Sequence, residues 1–202
     1  MPRSLNASIF NPHNDRRMKN SLLTQRGQSR LAIIDMQAKL AGAMHTEAMQ
    51  AVVKNCGILL KAAAFLEIPS FYTEQYPQGL GHTMPELAEL LGGKPGVTKV
   101  SFSCCAEPAF NRQLTSDRPQ IILAGMEAHI CILQTALELQ EQGKQVFVAE
   151  DAVISRDPGN KANALARMRQ AGIIVTNTES IAFEWLGVAE GDAFKQISRL
   201  IR

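Results

Sequence analysis

The chain has 202 residues, with 21 Lys or Arg against 19 Asp or Glu and a formal net charge of +2. That balance creates no global field to draw in nucleic acid or an acidic membrane, and no apolar run approaches the ~20 residues of a membrane span. A single domain of this size hides roughly 70% of its unfolded surface, enough for a full core.

Residues 1–29 form an expected N-terminal arm, with five Lys or Arg against the single Asp15 and no apolar period. The arm lacks the apolar stretch of a secretory signal, and its acid-poor, Arg-containing composition shares features with an organelle transit peptide. From residue 30 onward the chain is read as one domain, 30–202. Arg30–Met36 is an apolar run that fits a buried parallel strand ending at Asp35. Thr46–Leu66 has helical spacing of Val52, Val53, Cys56, Leu59, Leu60 and Ala63 and serves as a crossover helix. Pro69–Thr73 reads as a second strand, followed by a turn-rich loop, EQYPQGLGH. Met84–Leu91 is a short helix, Val97–Val100 a short strand carrying Lys99, and Phe110–Leu114 a helical turn or two.

Gln120–Ala124 is a fourth strand, and Gly125 marks the turn into a helix that holds Cys131, Leu133, Ala136 and Leu137. Gln145–Glu150, DAVISR, a helix through Lys161–Ala171, a strand at Ile173–Thr176 and two closing helices, Ser180–Leu186 and Asp192–Ile201, complete the pattern. Strands alternating with helices imply a three-layer α/β/α fold, a six-stranded, mostly parallel Rossmann-like sheet covered on both faces. No GxGxxG follows the first strand, so a dinucleotide fingerprint is absent.

Three residue types uncommon in cores sit near the ends of apolar strands: Asp35, Lys99 and Cys131. Asp35 is either an acid delivered to the ligand-gathering edge of the sheet or a cap on a following turn. Lys99 is either a paired, desolvated charge or a guard on an edge strand. Cys131 is either a buried structural thiol or a nucleophile whose pKa is lowered at a helix start. Brought together, the three would form a hydrolytic site: a cation favouring thiolate, a carboxylate to take the thiol proton, and amides for an oxyanion. The four cysteines, Cys56, Cys104, Cys105 and Cys131, show no CxxC spacing, which points to reduced thiols in a cytoplasmic protein.

From Leu31 to Leu186 the sequence resembles the isochorismatase-like cysteine hydrolases. The resemblance is carried by Asp35-Met36-Gln37, by Lys99 ahead of Phe102-Ser103, by Gly125, Cys131 and Thr135-Ala136, and by Gly143, Val146 and Asp151-Ala152. It extends to one subgroup through TEQYPQGLG, GMEAHICILQT and LARMRQAG. The resemblance implies Asp35 as base, Lys99 as thiolate-stabilising cation and Cys131 as nucleophile. It also implies a cis peptide at Met126-Glu127 and an oxyanion hole from the Glu127 and Cys131 amides. Amide or carbamoyl C–N bonds of a small molecule are the expected target, with a Cys thioester intermediate. Only His82 follows the second strand where metal-binding relatives carry an Asp-x-His and a further His, so neither a metal nor another cofactor is expected.

Gln37, Gln75, Tyr76 and Phe102 are the expected substrate contacts, with the Glu74–Gly81 loop setting substrate choice. His129 is expected either to line the pocket or to face solvent. The expected partners are a small-molecule substrate and further copies of the chain, a homo-oligomer with contacts from the arm and from Phe183, Trp185 and Leu186, and neither nucleic acid nor membrane. The alternative is a binding or scaffold protein that keeps the hydrolase fold without turnover.

Overall fold

In a computed structural model, which describes residues 21–202, the apolar runs become a six-stranded parallel sheet. The strands are β1 (Ser29–Ile34), β2 (Ser70–Gln75), β3 (Val97–Lys99), β4 (Gln120–Met126), β5 (Gln145–Ile154) and β6 (Ile174–Thr176). They lie in the order β3-β2-β1-β4-β5-β6, and every neighbouring pair is parallel. β1 and β4 lie at the centre, which explains why they read as continuous apolar runs instead of alternating ones.

The period-2 geometry of β1 divides the core. Leu31 and Ile33 join the cluster under the Thr46–Phe65, Thr178–Leu186 and Gly191–Ile201 helices, where Cys56, Leu59, Trp185 and Ile197 are buried. Ala32 and Ile34 join the opposite cluster under the Leu133–Glu141 and Pro158–Gln170 helices, with Phe110, Leu139 and Met168. Helices therefore cover both faces, giving the three layers. Trp185 points into its cluster and donates from Nε1 to Ser29 Oγ at 2.9 Å, so it faces the core and not a neighbouring subunit.

Several boundaries move. DAVISR continues the preceding strand, because Asp151–Ile154 stay on the β5 ladder beyond a register shift opposite Leu123–Gly125. Gly125 has φ +121°, and a Cβ there would sit 2.1 Å from Ile34 O, so this close approach of β4 to β1 admits only glycine. The loop after β2 contains a short helix, Pro77–Leu80, and the fourth strand runs on to Met126 before a π-helical turn, Ala128–Ile132. Of the expected arm, residues 1–20 lie outside the described residues. The rest is fastened by polar contacts that leave no apolar period: Thr24 donates from N and Oγ1 to Glu184 Oε2 at 2.7 and 2.9 Å, and Arg26 Nε donates to Leu66 O at 2.7 Å. Among the described residues no helix is long and apolar enough to cross a membrane.

Candidate active site

From the central pair the chain leaves β1 toward β2 and leaves β4 toward β5, so a crevice opens between the carboxyl ends of β1 and β4, the place where ligands collect in open α/β sheets. Asp35 directly follows β1, Glu127 directly follows β4, and Cys131 lies one turn further, inside the π-helical turn. Lys99 ends β3, two strands away from β1, and its long side chain crosses beneath β2 to reach the crevice. β3 is an edge strand, yet Lys99 is only 2% exposed: it spans the interior and does not guard the edge.

Lys99 Nζ lies 2.7 Å from Asp35 Oδ2 and 3.5 Å from Cys131 Sγ. It donates to Gln75 Oε1 at 2.5 Å and to the carbonyls of Ser101 and Phe102 at 3.2 Å each. The other Asp35 oxygen, Oδ1, accepts from Thr73 Oγ1 at 2.6 Å, and the Asp35 amide donates to Thr73 O at 3.1 Å. These bonds hold Asp35 at φ +51°, a conformation that a non-glycine residue keeps only where its surroundings enforce it. Asp35, Lys99 and Cys131 are 0, 2 and 6% exposed.

Burial at this depth sets the protonation states. It works against the Lys99 ammonium, but Asp35, followed by Cys104 and Cys131, outweighs it and places the Lys99 pKa above its ordinary value. For Cys131, burial is the largest influence and Asp35 the next; together they push the thiol up to about 12, with Lys99 pulling the other way. The resting residue is therefore a thiol, which corrects the expectation of a thiolate at a helix start. A carboxylate facing the sulfur and the loss of water outweigh the unpaired amides of one turn. Burial likewise pushes Cys104 up to about 12 and Cys105 to about 11.

The Met126–Glu127 peptide is cis. The Glu127 carboxylate is buried and accepts from Arg156 N at 2.9 Å and Nε at 3.1 Å, tying the end of β4 to the residues after β5. His129 is half-buried, and its Nδ1 lies 2.9 Å from Ser155 Oγ. His82 pairs with Glu74 at 3.1 Å, and among the described residues no group of three or more His, Cys, Asp or Glu is placed to hold a metal ion.

The glutamines expected to touch substrate have other work. Gln37 is fully buried; its Nε2 donates to the carbonyls of Gln75 and Gly81 at 3.0 and 2.5 Å, and its Oε1 accepts from Gln75 N at 2.8 Å. Gln75 gives Oε1 to Lys99 and donates from Nε2 to Val100 O at 2.8 Å. Both amides are hydrogen-bonded within the protein. Tyr76 and Phe102 remain available, 53 and 56% exposed beside the Lys99 segment. Sequence inspection missed Thr73, although its place two residues before Gln75 on a strand puts both on one face.

The family model described as Isochorismatase domain matches residues 29–180. Human Isochorismatase domain-containing protein 2 is 40% identical over 181 residues, covering 87% of this chain and 84% of that protein. The Secreted isochorismatase effector Isc1 of Phytophthora sojae (strain P6497) is 36% identical over 178 residues, covering 85% of this chain and 83% of that one. A solved structure described as the MAR1 ribonuclease from Caenorhabditis elegans is 37% identical with a TM-score of 0.83, covering 89% of this chain and 92% of that chain.

Proposed function

This chain belongs to the isochorismatase family, and from that premise we propose that it hydrolyses an amide or carbamoyl C–N bond of a small molecule through a thioester on Cys131. The observation that carries the proposal is the buried contact of Lys99 Nζ with Asp35 Oδ2 at 2.7 Å and Cys131 Sγ at 3.5 Å. As Sγ bonds to the carbonyl carbon, the thiol proton passes to Asp35. The oxyanion is held by the Glu127 and Cys131 amides, at the end of β4 and in the turn that follows it. The C–N bond breaks as the nitrogen takes the proton from Asp35 and leaves as ammonia or an amine. Water then attacks the thioester while Asp35 accepts its proton, and that proton returns to the departing Cys131 sulfur as the acid leaves.

Charge is conserved inside the crevice throughout. A carboxylate, an ammonium and a thiol sum to zero, and so do a carboxylic acid, an ammonium and a thiolate. A thiol whose pKa is about 12 can therefore react near neutrality, because its proton moves to Asp35 and not to bulk water. Lys99 stabilises the sulfur anion as it forms.

A panel of amides and carbamoyl compounds, with ammonia release and mass spectrometry of Cys131 as readouts and Cys131→Ala as blank, tests the proposal. Cys131-dependent ammonia and an acyl adduct on Cys131 are expected; absence of both across the panel would leave the non-catalytic binding role. RNA is expected to remain uncut, since a net charge of +2 offers little attraction for a polyanion. Cleavage of RNA lost in Cys131→Ala would change the substrate class to that named for the nematode relative. Four free thiols support a reducing, cytoplasmic setting. Exposed Tyr76, Val100 and Phe102 support association of copies at this edge; light scattering at 22.1 kDa would exclude it.

A further inference from the structure

We infer that Gln75 is a positioning residue of the reaction, the neutral acceptor that holds the Lys99 ammonium between Asp35 and Cys131. The inference rests on Cys131 being the nucleophile. It starts from register: Gln75 pairs with Lys99 on the neighbouring parallel strand, and Thr73 pairs with Val97 two residues earlier. Period-2 geometry places Thr73 and Gln75 on one face of β2. From there Thr73 holds Asp35 by Oδ1 and Gln75 holds Lys99 by Nζ, so adjacent same-face positions of one strand fix both members of the ion pair.

The Gln75 amide has only one orientation. An ammonium can only donate and the Val100 carbonyl can only accept, so Oε1 faces Lys99 and Nε2 faces Val100. The backbone of Gln75 is held in turn by the buried Gln37, through N at 2.8 Å and O at 3.0 Å. Nζ donates to Gln75, to the Ser101 and Phe102 carbonyls and to Cys131 Sγ and is ion-paired with Asp35 Oδ2 at 2.7 Å, so the neutral acceptors hold the ammonium where it meets both the carboxylate and the sulfur.

The residue type matters. The cluster of Asp35, Lys99 and a Cys131 thiol is neutral, and a buried site tolerates that state at least cost. A glutamate at position 75 would fit the same space, but it would add a second carboxylate to one ammonium and oppose negative charge on the sulfur. Glutamine supplies the acceptor without the charge.

The test is alkylation of Cys131 by iodoacetamide from pH 6 to 10, with Cys131→Ala as blank. Gln75→Glu is expected to react about tenfold more slowly near pH 7.5, with its profile displaced upward by about one pH unit. Gln75→Met, of similar volume and uncharged, is expected to slow by about threefold without displacement. A Gln75→Glu rate within twofold of wild type overturns the inference, as does an equal displacement in Gln75→Met, which would make the effect one of packing. A change confined to substrate KM would make Gln75 a ligand contact and overturn it too. Thermal unfolding supplies a second measurement that does not require a reactive Cys131. Gln75→Met is expected to lower Tm in the wild-type background and to leave it nearly unchanged in Lys99→Met; additive effects overturn the inference. An unreactive Cys131 in the wild type, by contrast, counts against the proposed hydrolysis alone.

Discussion

Cys56 and Cys131 are both buried thiols that burial pushes up to about 12, yet they have different prospects. Cys56 lies in the apolar cluster beneath the Thr46–Phe65 helix, and its Sγ has the Ala152 carbonyl at 3.6 Å as partner. Cys131 has an ammonium at 3.5 Å that is itself bonded to a carboxylate. A proton leaving Cys56 must reach bulk water and strand an anion in the core. One leaving Cys131 moves within a neutral cluster. A thiol pKa therefore does not by itself separate the two cysteines; the ion pair beside the Cys131 sulfur does, and the proposed chemistry depends on that contrast.

The sharpest way to break that contrast is to remove the base. Asp35→Asn is expected to reduce Cys131 alkylation and any turnover by roughly a thousandfold. Cys56→Ala should leave both within about twofold, since nothing in the crevice touches Cys56. Equal losses in the two variants would mean that core integrity, and not proton transfer, limits reactivity.

Removing the cation should be felt first as stability. Lys99→Met leaves Asp35 charged, buried and unpaired, and urea unfolding should show a loss of about 3–5 kcal/mol. The double variant Asp35→Asn/Lys99→Met is expected to recover most of that loss while remaining inactive. A double variant no more stable than Lys99→Met would count against the pair as an ionic unit.

Alkaline pH treats the two thiols alike. Their folded pKa values of about 12 lie above the ordinary 9.0, so as pH rises the unfolded chain gives up its thiol protons first. The stability tied to each thiol is full below about pH 9 and is lost as pH climbs toward 12, at about 1.4 kcal/mol per pH unit. Cys56→Ala should flatten the decline of unfolding free energy by one such increment. Cys131→Ala should flatten it by the same increment, and a smaller flattening would place the folded Cys131 thiol below that of Cys56.

The smallest effect is expected at the rim. Tyr76→Ala removes an exposed aromatic face, and relative kcat/KM across substrate analogues should change while alkylation stays within about twofold. Unchanged preferences would remove Tyr76 from the recognition surface.

Much of the fold was legible because hydrophobic period is a local property. β1 and β4 read as strands, and Thr46–Phe65 as a helix, within a residue or two of their ends. Asp35, Lys99 and Cys131 stood out because each is a residue type unusual at its place in an apolar pattern. The Gln37 and Gln75 roles were not legible: a polar side chain after a strand looks the same whether its amide meets a ligand or a neighbouring backbone. The thiol state of Cys131 was misread for a related reason, since its strongest perturbation comes from depth of burial and from a carboxylate almost a hundred residues earlier in the chain.

By itself, then, the sequence determined where most strands and helices lie, that the sheet is parallel, and which three polar residues stand out at the ends of apolar strands, because these depend on the order of apolar and polar groups along the chain. Only the tertiary structure decided that Lys99 reaches across from an edge strand, that Thr73 and Gln75 hold the two charges, and that Cys131 rests as a thiol. Those facts depend on strand order, on register between strands and on distance from water, quantities that exist once the sheet has closed its central pair and buried the crevice beside it.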